Sequence, residues 1–299
     1  MALLDVSALP PDKQALLDAV TDRLRTLRGV DAVVLGGSWA CGTARSNSDL
    51  DIGLYYDPAR PFSIADVRVI AQDFSETGSS AVVSELYGWG PWVNGGAWIY
   101  TPAGKLDFLY RNLTQVQQVI DEANSGAWRH DYDQQPPYGF RSLIYLAETR
   151  VCVPLYDPNK AIAALKNSVA VYPAALKQRV VQECLWGSEF TFAAARASIE
   201  RGDVYCVAGC ATRVAQFLVQ ALFALNEQYC ISDKNAGRLI GGMELCPPDY
   251  EARLSAVLKR VGGTVAEMQQ SLDSLEQIWR DVAGLAKGLY QPRYTLRRT

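Results

Sequence analysis

The stretch Val33–Asp57, VVLGGSWACGTARSNSDLDIGLYYD, decides how this chain is read. The apolar, partly β-branched run Ala32–Leu35 has the length and make-up of a buried strand. Gly36 and Gly37 follow, residues that reach backbone angles closed to others and carry no side chain to block a phosphate. Ser38 stands where a helix would begin, and the N–H groups of a helix N-terminus attract anions. After the spacer Trp39–Ser48, Asp49 and Asp51 lead a second apolar run, Ile52–Tyr56. Side chains alternate along a strand, so both carboxylates share a face. Two carboxylates that close repel each other unless a cation lies between them. Mg²⁺ accepts one or two carboxylates together with substrate phosphates, and two such ions about 4 Å apart form the clamp of nucleotidyl transfer. Gly-Gly-Ser alone is an ordinary turn, and Asp-x-Asp alone an ordinary strand end. Their joint occurrence at this spacing points to a metal–nucleotide site.

With Gly36-Gly37-Ser38, the spacer and Asp49-Leu50-Asp51 in place, Val33–Arg111 resembles the nucleotidyltransferase superfamily typified by DNA polymerase beta. It is most similar to small bacterial nucleotidyltransferases, including aminoglycoside and lincosamide adenylyltransferases. The resemblance implies a third carboxylate on a neighbouring strand. Asp107, in Gly104-Lys105-Leu106-Asp107-Phe108-Leu109-Tyr110-Arg111, is the candidate. Its apolar neighbours mark a strand, with Ala97–Thr101 as the preceding strand and Pro102-Ala103-Gly104 as the turn. A carboxylate in such a run is costly unless paired or metal-bound, though an edge-strand Asp facing solvent fits the same letters.

The roles follow. Asp49 and Asp51 are expected to bind the Mg²⁺ that grips the triphosphate. Asp107 is expected to join them on a second Mg²⁺ and to take the proton of an acceptor hydroxyl. Ser38 and the N–H groups around Gly37 would hold the leaving phosphates. Arg45 and Ser48 are further phosphate candidates, Arg45 reading equally well as a solvated helix end. Related adenylyltransferases use a lysine from a helical turn on the triphosphate. That role falls on Lys234, with Ser232 or Asp233 as helix cap, against an exposed helix-start lysine. Asn226 is a lesser candidate. Glu85 is the alternative base, or a solvated strand end. His130 reads as incidental, and Glu148 and Glu189 fall on helices of unread orientation. The resemblance also extends to Trp92-Val93-Asn94-Gly95-Gly96, which reads either as an acceptor or base pocket or as packing against the sheet.

The chain has 299 residues, 49% hydrophobic and 20% charged, enough for two domains with sizeable cores. No apolar run looks long enough to span a bilayer, and the N-terminal MALLDVSALPPDK lacks a signal-peptide pattern, so the expected location is cytoplasmic. The seven cysteines are odd in number and without Cys-x-x-Cys. Cys206 and Cys210, four apart on a helix-like stretch, read as buried thiols rather than a zinc site. The net charge of −3 disfavours a nucleic-acid partner; only the short basic tail Lys287–Arg298 argues for one.

Residues 11–29 and 64–74 carry helical spacing, and 79–86 reads as a strand. Residues 139–150, 158–168, 173–201, 204–228, 248–261 and 264–289 are all helix-like, with Gly202-Asp203 as a break and Asp203 an N-cap. The expected fold class is α+β. A nucleotidyltransferase domain (1–125, a mixed sheet flanked by helices) is followed by a linker (126–138) and an α-helical bundle (139–299) that would cover the triphosphate. The implied activity is Mg²⁺-dependent transfer of a nucleoside monophosphate, AMP from ATP or another NTP, to a small aminoglycoside-like acceptor. The competing readings are an enzyme acting on tRNA or protein and a non-catalytic nucleotide-binding module.

Overall fold

The run Ala32–Leu35 becomes a strand buried along its whole length, and the rest of the first unit is assembled around it. The computed structural model describes residues 9–292. The chain divides into two units: residues up to Asp121 with Arg129–Ala170, and Glu122–Trp128 with the residues from Val171 on.

The first unit runs α1 (Pro11–Leu24), β1 (Ala32–Leu35), α2 (Gly37–Ala40), β2 (Leu50–Tyr56), α3 (Ile64–Asp73), β3 (Val82–Val83), β4 (Gly96–Thr101), β5 (Gly104–Asn112), α4 (Leu113–Asn124, whose last residues count with the second unit), β6 (His130–Asp131), β7 (Phe140–Arg141), α5 (Leu143–Val151), β8 (Val153–Tyr156) and α6 (Ala161–Ser168). Six strands form one mixed sheet in the order β3-β4-β5-β2-β1-β8; β6 and β7 pair separately. Only β2 and β5 run parallel in that sheet, joined by the crossover through α3, β3 and β4.

Alternation sorts the sheet into two faces. Leu50, Ile52 and Leu54 of β2, Leu106, Phe108 and Tyr110 of β5, and Ala97 and Ile99 of β4 pack under Leu17, Val20 and Leu24 of α1 and Val67 and Ile70 of α3. The intervening positions, Asp51, Lys105, Asp107, Trp98 and Tyr100, fall on the other face. One face therefore carries the apolar core and the other carries the polar residues.

Several local choices are sequence-driven. Pro11 opens α1, where its missing N–H costs nothing. Ser63 caps α3 by accepting from Asp66 N. Lys166 of α6 donates from Nζ to the carbonyls of Thr149, Arg150 and Cys152 at 3.2, 2.9 and 2.7 Å, capping the C-terminal end of α5.

The second unit holds α7 (Ala174–Ile199), α8 (Val204–Leu225), α9 (Ala236–Ile240), α10 (Tyr250–Lys259) and α11 (Val265–Leu285). Asp203 does cap α8, accepting from Cys206 N at 3.0 Å. Thr264 and Glu267 form a capping box on α11. Gly187 lets α7 approach α8, since a Cβ there would stand 2.9 Å from the Phe217 ring. Among the described residues α8 alone is long and apolar enough to cross a membrane, and 61% of that window is buried within the protein.

Some expectations need correction. The strand expected over 79–86 shrinks to Val82–Val83, because Glu85–Gly88 closes a turn with Gly88 N donating to Glu85 O at 2.9 Å. The helix expected from 11 to 29 ends at Leu24. The helix expected to start at Lys234, behind Ser232 or Asp233, starts instead at Ala236, with Asn235 as its N-cap in a left-handed conformation. Asn226 is structural, since its side chain donates to Leu222 O and Leu245 O and accepts from Leu245 N. Arg293, Arg297 and Arg298 of the basic tail, and the first eight residues, lie outside the described residues.

Candidate active site

The register between β2 and β5 builds the site. Asp51 lies directly beside Asp107 across the parallel pair, and Asp49 precedes β2 by one residue. The three acids predicted to converge thus sit on the same face of two neighbouring strands. β5 is internal to the sheet, flanked by β4 and β2, so Asp107 is not an edge carboxylate. Its side chain is 14% exposed and that of Asp49 44%.

The turn after β1 closes over Asp51. Gly36 N donates to Asp51 O at 2.8 Å. Gly37 has φ +58°, and a Cβ there would stand 1.7 Å from Asp51 Oδ2. Glycine at 37 is therefore required twice, for the left-handed angle and for the space against the carboxylate. The first-turn N–H groups of Gly37, Ser38 and Trp39 have no carbonyl within α2 to donate to. Trp39 donates from Nε1 to Ser48 O at 3.3 Å, tying the spacer back beneath α2. Ser48 Oγ accepts from Arg45 N at 2.9 Å, so it shapes the loop that leads into Asp49. The Arg45 side chain is exposed.

Three carboxylates on one face carry more negative charge than the site neutralises. Burial, then the charges of Asp107 and Asp49, push the Asp51 carboxyl up to about 6, and Lys105 offsets only part of this. The Cys41 thiol is also raised, by burial and by Asp51. Lys105 is the residue that the sequence reading missed. Its Nζ donates to Asp107 Oδ2 at 2.7 Å and to Asp49 Oδ2 at 3.3 Å. Burial alone would lower its pKa; the contacts with Asp107 and Asp49 outweigh it and raise it. Its spacing two residues before Asp107 on a strand was the available signal.

With Lys105 seated there, no three His, Cys, Asp or Glu side chains among the described residues are gathered tightly enough around one point to hold a metal ion. The chemistry of the acids nevertheless fits one. The donor set is all oxygen, which suits a hard divalent cation, and Asp51 and Asp107 stand side by side in register with Asp49 two residues away.

The other candidates make contacts of their own. Glu85 pairs with Arg68 at 3.2 Å and is 73% exposed. Continuing the β3–β4 register places it opposite Gly95, two strands over and roughly 10 Å further along the strand direction than Asp107. Glu148 makes a two-pronged ion pair with the buried Arg111, at 2.8 Å on both oxygens. Arg111 Nη1 also donates to Val93 O and Tyr110 O. His130 contacts Tyr138 O and the Tyr132 ring. Glu189 lies in the second unit, accepting from Tyr290 OH. Lys234 also lies in the second unit, in the turn before α9, where its backbone N donates to Ser232 Oγ at 3.1 Å.

The Trp92–Gly96 segment proves to be a packed corner. Asn94 is fully buried, donating to Pro91 O and Gln115 Oε1 and accepting from Asn112 N. Trp92 stacks on Phe140. A Cβ on Gly96 would stand 1.9 Å from Phe108 O. Beyond it, Trp98 lies directly across the sheet from Asp107, stacks on Trp89 and is 45% exposed.

A glycine turn, an Asp-x-Asp strand and a third acid on the adjacent parallel strand define a domain of the phosphoryl-transfer kind. Residues 17–87 match the nucleotidyltransferase domain family, a span that contains Gly36, Gly37, Ser38, Asp49 and Asp51. The chain thus carries a nucleotidyltransferase domain of the polymerase beta-like superfamily and is a nucleotidyltransferase by that domain. Residues 143–234 match the family described as Domain of unknown function (DUF4037). Among solved structures the chain is similar to a nucleotidyltransferase-like protein from Exiguobacterium sibiricum 255-15, at 7% identity and a TM-score of 0.45, over 94% of this chain and 78% of that one. No curated protein matches the chain.

Proposed function

We propose that the protein is a Mg²⁺-dependent nucleotidyltransferase that moves a nucleoside monophosphate, AMP from ATP, onto a hydroxyl of a small acceptor of the aminoglycoside kind and releases pyrophosphate. The observation that carries the reading is the side-by-side register of Asp51 and Asp107, with Asp49 two residues from Asp51 on the same face. Asp49 and Asp51 would hold one Mg²⁺ and Asp107 would join them on a second. When bound, the ions would neutralise the triphosphate and make the acceptor hydroxyl easier to deprotonate.

The chain's own groups supply the rest. Asp107 is assigned the acceptor proton: a carboxylate 14% exposed, on an internal strand, is held in a fixed place for that transfer. Ser38 and the first-turn N–H groups at Gly37 and Ser38 are assigned to the departing phosphates. Arg45 is exposed and remains a phosphate candidate, whereas Ser48 is assigned a loop-shaping part. Lys234 is carried as a triphosphate ligand on the resemblance alone. Glu85, paired with Arg68, is the weaker base. A cationic acceptor suits a site with three acids and one lysine, and the exposed indole of Trp98 across from Asp107 offers a flat wall for a sugar ring. All seven cysteines are thiols, which fits a reducing compartment such as the cytoplasm.

The test incubates the protein with Mg²⁺, each labelled NTP in turn and a panel of aminoglycosides, lincosamides and tRNA, and follows pyrophosphate and labelled product. ATP with an aminoglycoside-like acceptor is expected to give product, and Asp49→Ala and Asp51→Ala to abolish it with the fold intact. Substantial turnover in either variant would refute the assigned metal roles. Label on tRNA alone would refute the small-acceptor assignment.

A further inference from the structure

We propose that Lys105 is an internal counter-ion that closes the acid cluster to a free divalent cation and gives way only when a triphosphate arrives to receive its ammonium. The proposal rests on reading Asp49, Asp51 and Asp107 as the metal site. On that reading the metal enters together with the nucleotide rather than ahead of it.

Lys105 and Asp107 are two apart on β5, so the pleat puts both on the face that carries Asp51. The lysine side chain is 29% exposed and its Nζ is held between two of the three acids, at 2.7 and 3.3 Å. An ammonium there contributes one unit of positive charge where the chemistry needs two or more. A divalent ion bonded to the same oxygens would meet that ammonium at close range, with strong repulsion in a partly buried site. The lysine must therefore leave when the cation enters. Four flexible methylenes allow it to swing without moving the strand.

Ejecting Nζ breaks two charge-assisted hydrogen bonds, and a bare cation supplies no anion in exchange. A metal-bound triphosphate does, because its own oxygens can take the displaced ammonium. The same lysine thus weakens the binding of cation alone and favours the binding of cation with nucleotide. Trp98 and Tyr100, opposite Asp107 and Lys105 on β4, bring no competing charge to this face.

The experiment titrates Mn²⁺ into the full-length protein and reads free Mn²⁺ by its electron paramagnetic resonance signal, without assaying turnover. Wild type, Lys105→Met, Lys105→Gln and Lys105→Arg are compared, each checked for a native thermal transition. Without nucleotide, Lys105→Met and Lys105→Gln are expected to bind Mn²⁺ about tenfold tighter than wild type, and Lys105→Arg no tighter. A non-hydrolysable ATP analogue is expected to tighten Mn²⁺ binding more in wild type than in Lys105→Met, so that the gap narrows. Equal nucleotide-free affinity in wild type and both neutral variants, with Mn²⁺ still bound beside the analogue, would overturn the role of Lys105 and leave the metal site standing. Failure of every form to take up Mn²⁺ even with the analogue would overturn the metal reading, and this proposal with it.

Discussion

Asp51→Asn is expected to stabilise the cation-free protein while removing its activity. Burial first, then Asp107 and Asp49, raise the Asp51 carboxyl from 3.8 to about 6. A raised carboxyl means that the folded state binds its proton more tightly than the unfolded state does. Between those two values the folded chain carries more protons, so stability falls as pH rises through the window, and the loss is complete above pH 6. A shift of about two pKa units is worth about 3 kcal/mol at pH 8, and about half of that at pH 5. Asparagine keeps the shape without the charge, so the variant should recover that energy. For a unit of this size, 3 kcal/mol corresponds to roughly 6–12 °C in Tm. The assay is thermal unfolding of both proteins in EDTA at pH 8 and pH 5, reading the transition of the first unit. The gain should be largest at pH 8 and shrink at pH 5. Adding Mg²⁺ together with a non-hydrolysable ATP analogue should raise the wild-type transition more than that of Asp51→Asn, because the metal–nucleotide pair binds best where the charge is. An Asp51→Asn transition at pH 8 no higher than that of wild type would refute the claim that the cluster is over-charged when empty of cation.

Gly37→Ala puts a methyl 1.7 Å from Asp51 Oδ2 at a residue with φ +58°, so the turn and the carboxylate must separate; nucleotidyl transfer should fall about 100-fold or more in a steady-state assay, from misplacement of the acid. Arg111→Met leaves the half-buried Glu148 without its two-pronged partner and should cost about 2–4 kcal/mol in urea unfolding, with the double variant Arg111→Met/Glu148→Met less damaging than the arginine change alone. Lys166→Met strips a donor from three carbonyls at the end of α5 and should cost about 1–3 kcal/mol by the same measurement, whereas a loss below a few tenths would mean that water replaces the ammonium freely.

The elements with strong local signals could be read from the chain itself. β1 and β2 are short apolar runs bounded by glycine and aspartate, and they form where the letters place them. α7, α8 and α11 carry long helical periodicity with caps at Asp203 and Thr264. What stayed hidden depends on partners distant in sequence. β8 reads Val-Pro-Leu-Tyr, with a proline in its middle, and is a strand because β1 offers it an edge, with a register shift between Val33 and Val34. The β2–β5 pairing that aligns Asp51 with Asp107 is equally non-local, and no spacing in the sequence announces it. A lysine in a strand usually marks a solvated face. The spacing of Lys105 from Asp107 marks one acid on that face, and the register adds Asp51 beside it.

The alternative to a metal-binding Asp107 is a solvent-facing carboxylate on an edge strand, and the topology gives the means to judge it. An edge strand has one hydrogen-bonded neighbour, whereas β5 pairs along its length with β4 on one side and β2 on the other. A solvent-facing carboxylate hydrates freely and needs no counter-charge. The Asp107 side chain is 14% exposed and holds Lys105 at 2.7 Å. On the core face of β5, Leu106, Phe108 and Tyr110 are fully buried, and Lys105, Asp107 and Leu109 alternate onto the other face. Asp107 stands beside Asp51 of the Asp-x-Asp strand, and Lys105 lies two residues before it on the same face. A sheet that follows the rules on one face and concentrates its violations at one spot of the other is arranged for a charge that is not its own. Lys105 supplies part of that charge, and the Asp51 carboxyl is still raised to about 6, by burial first and then by Asp107 and Asp49.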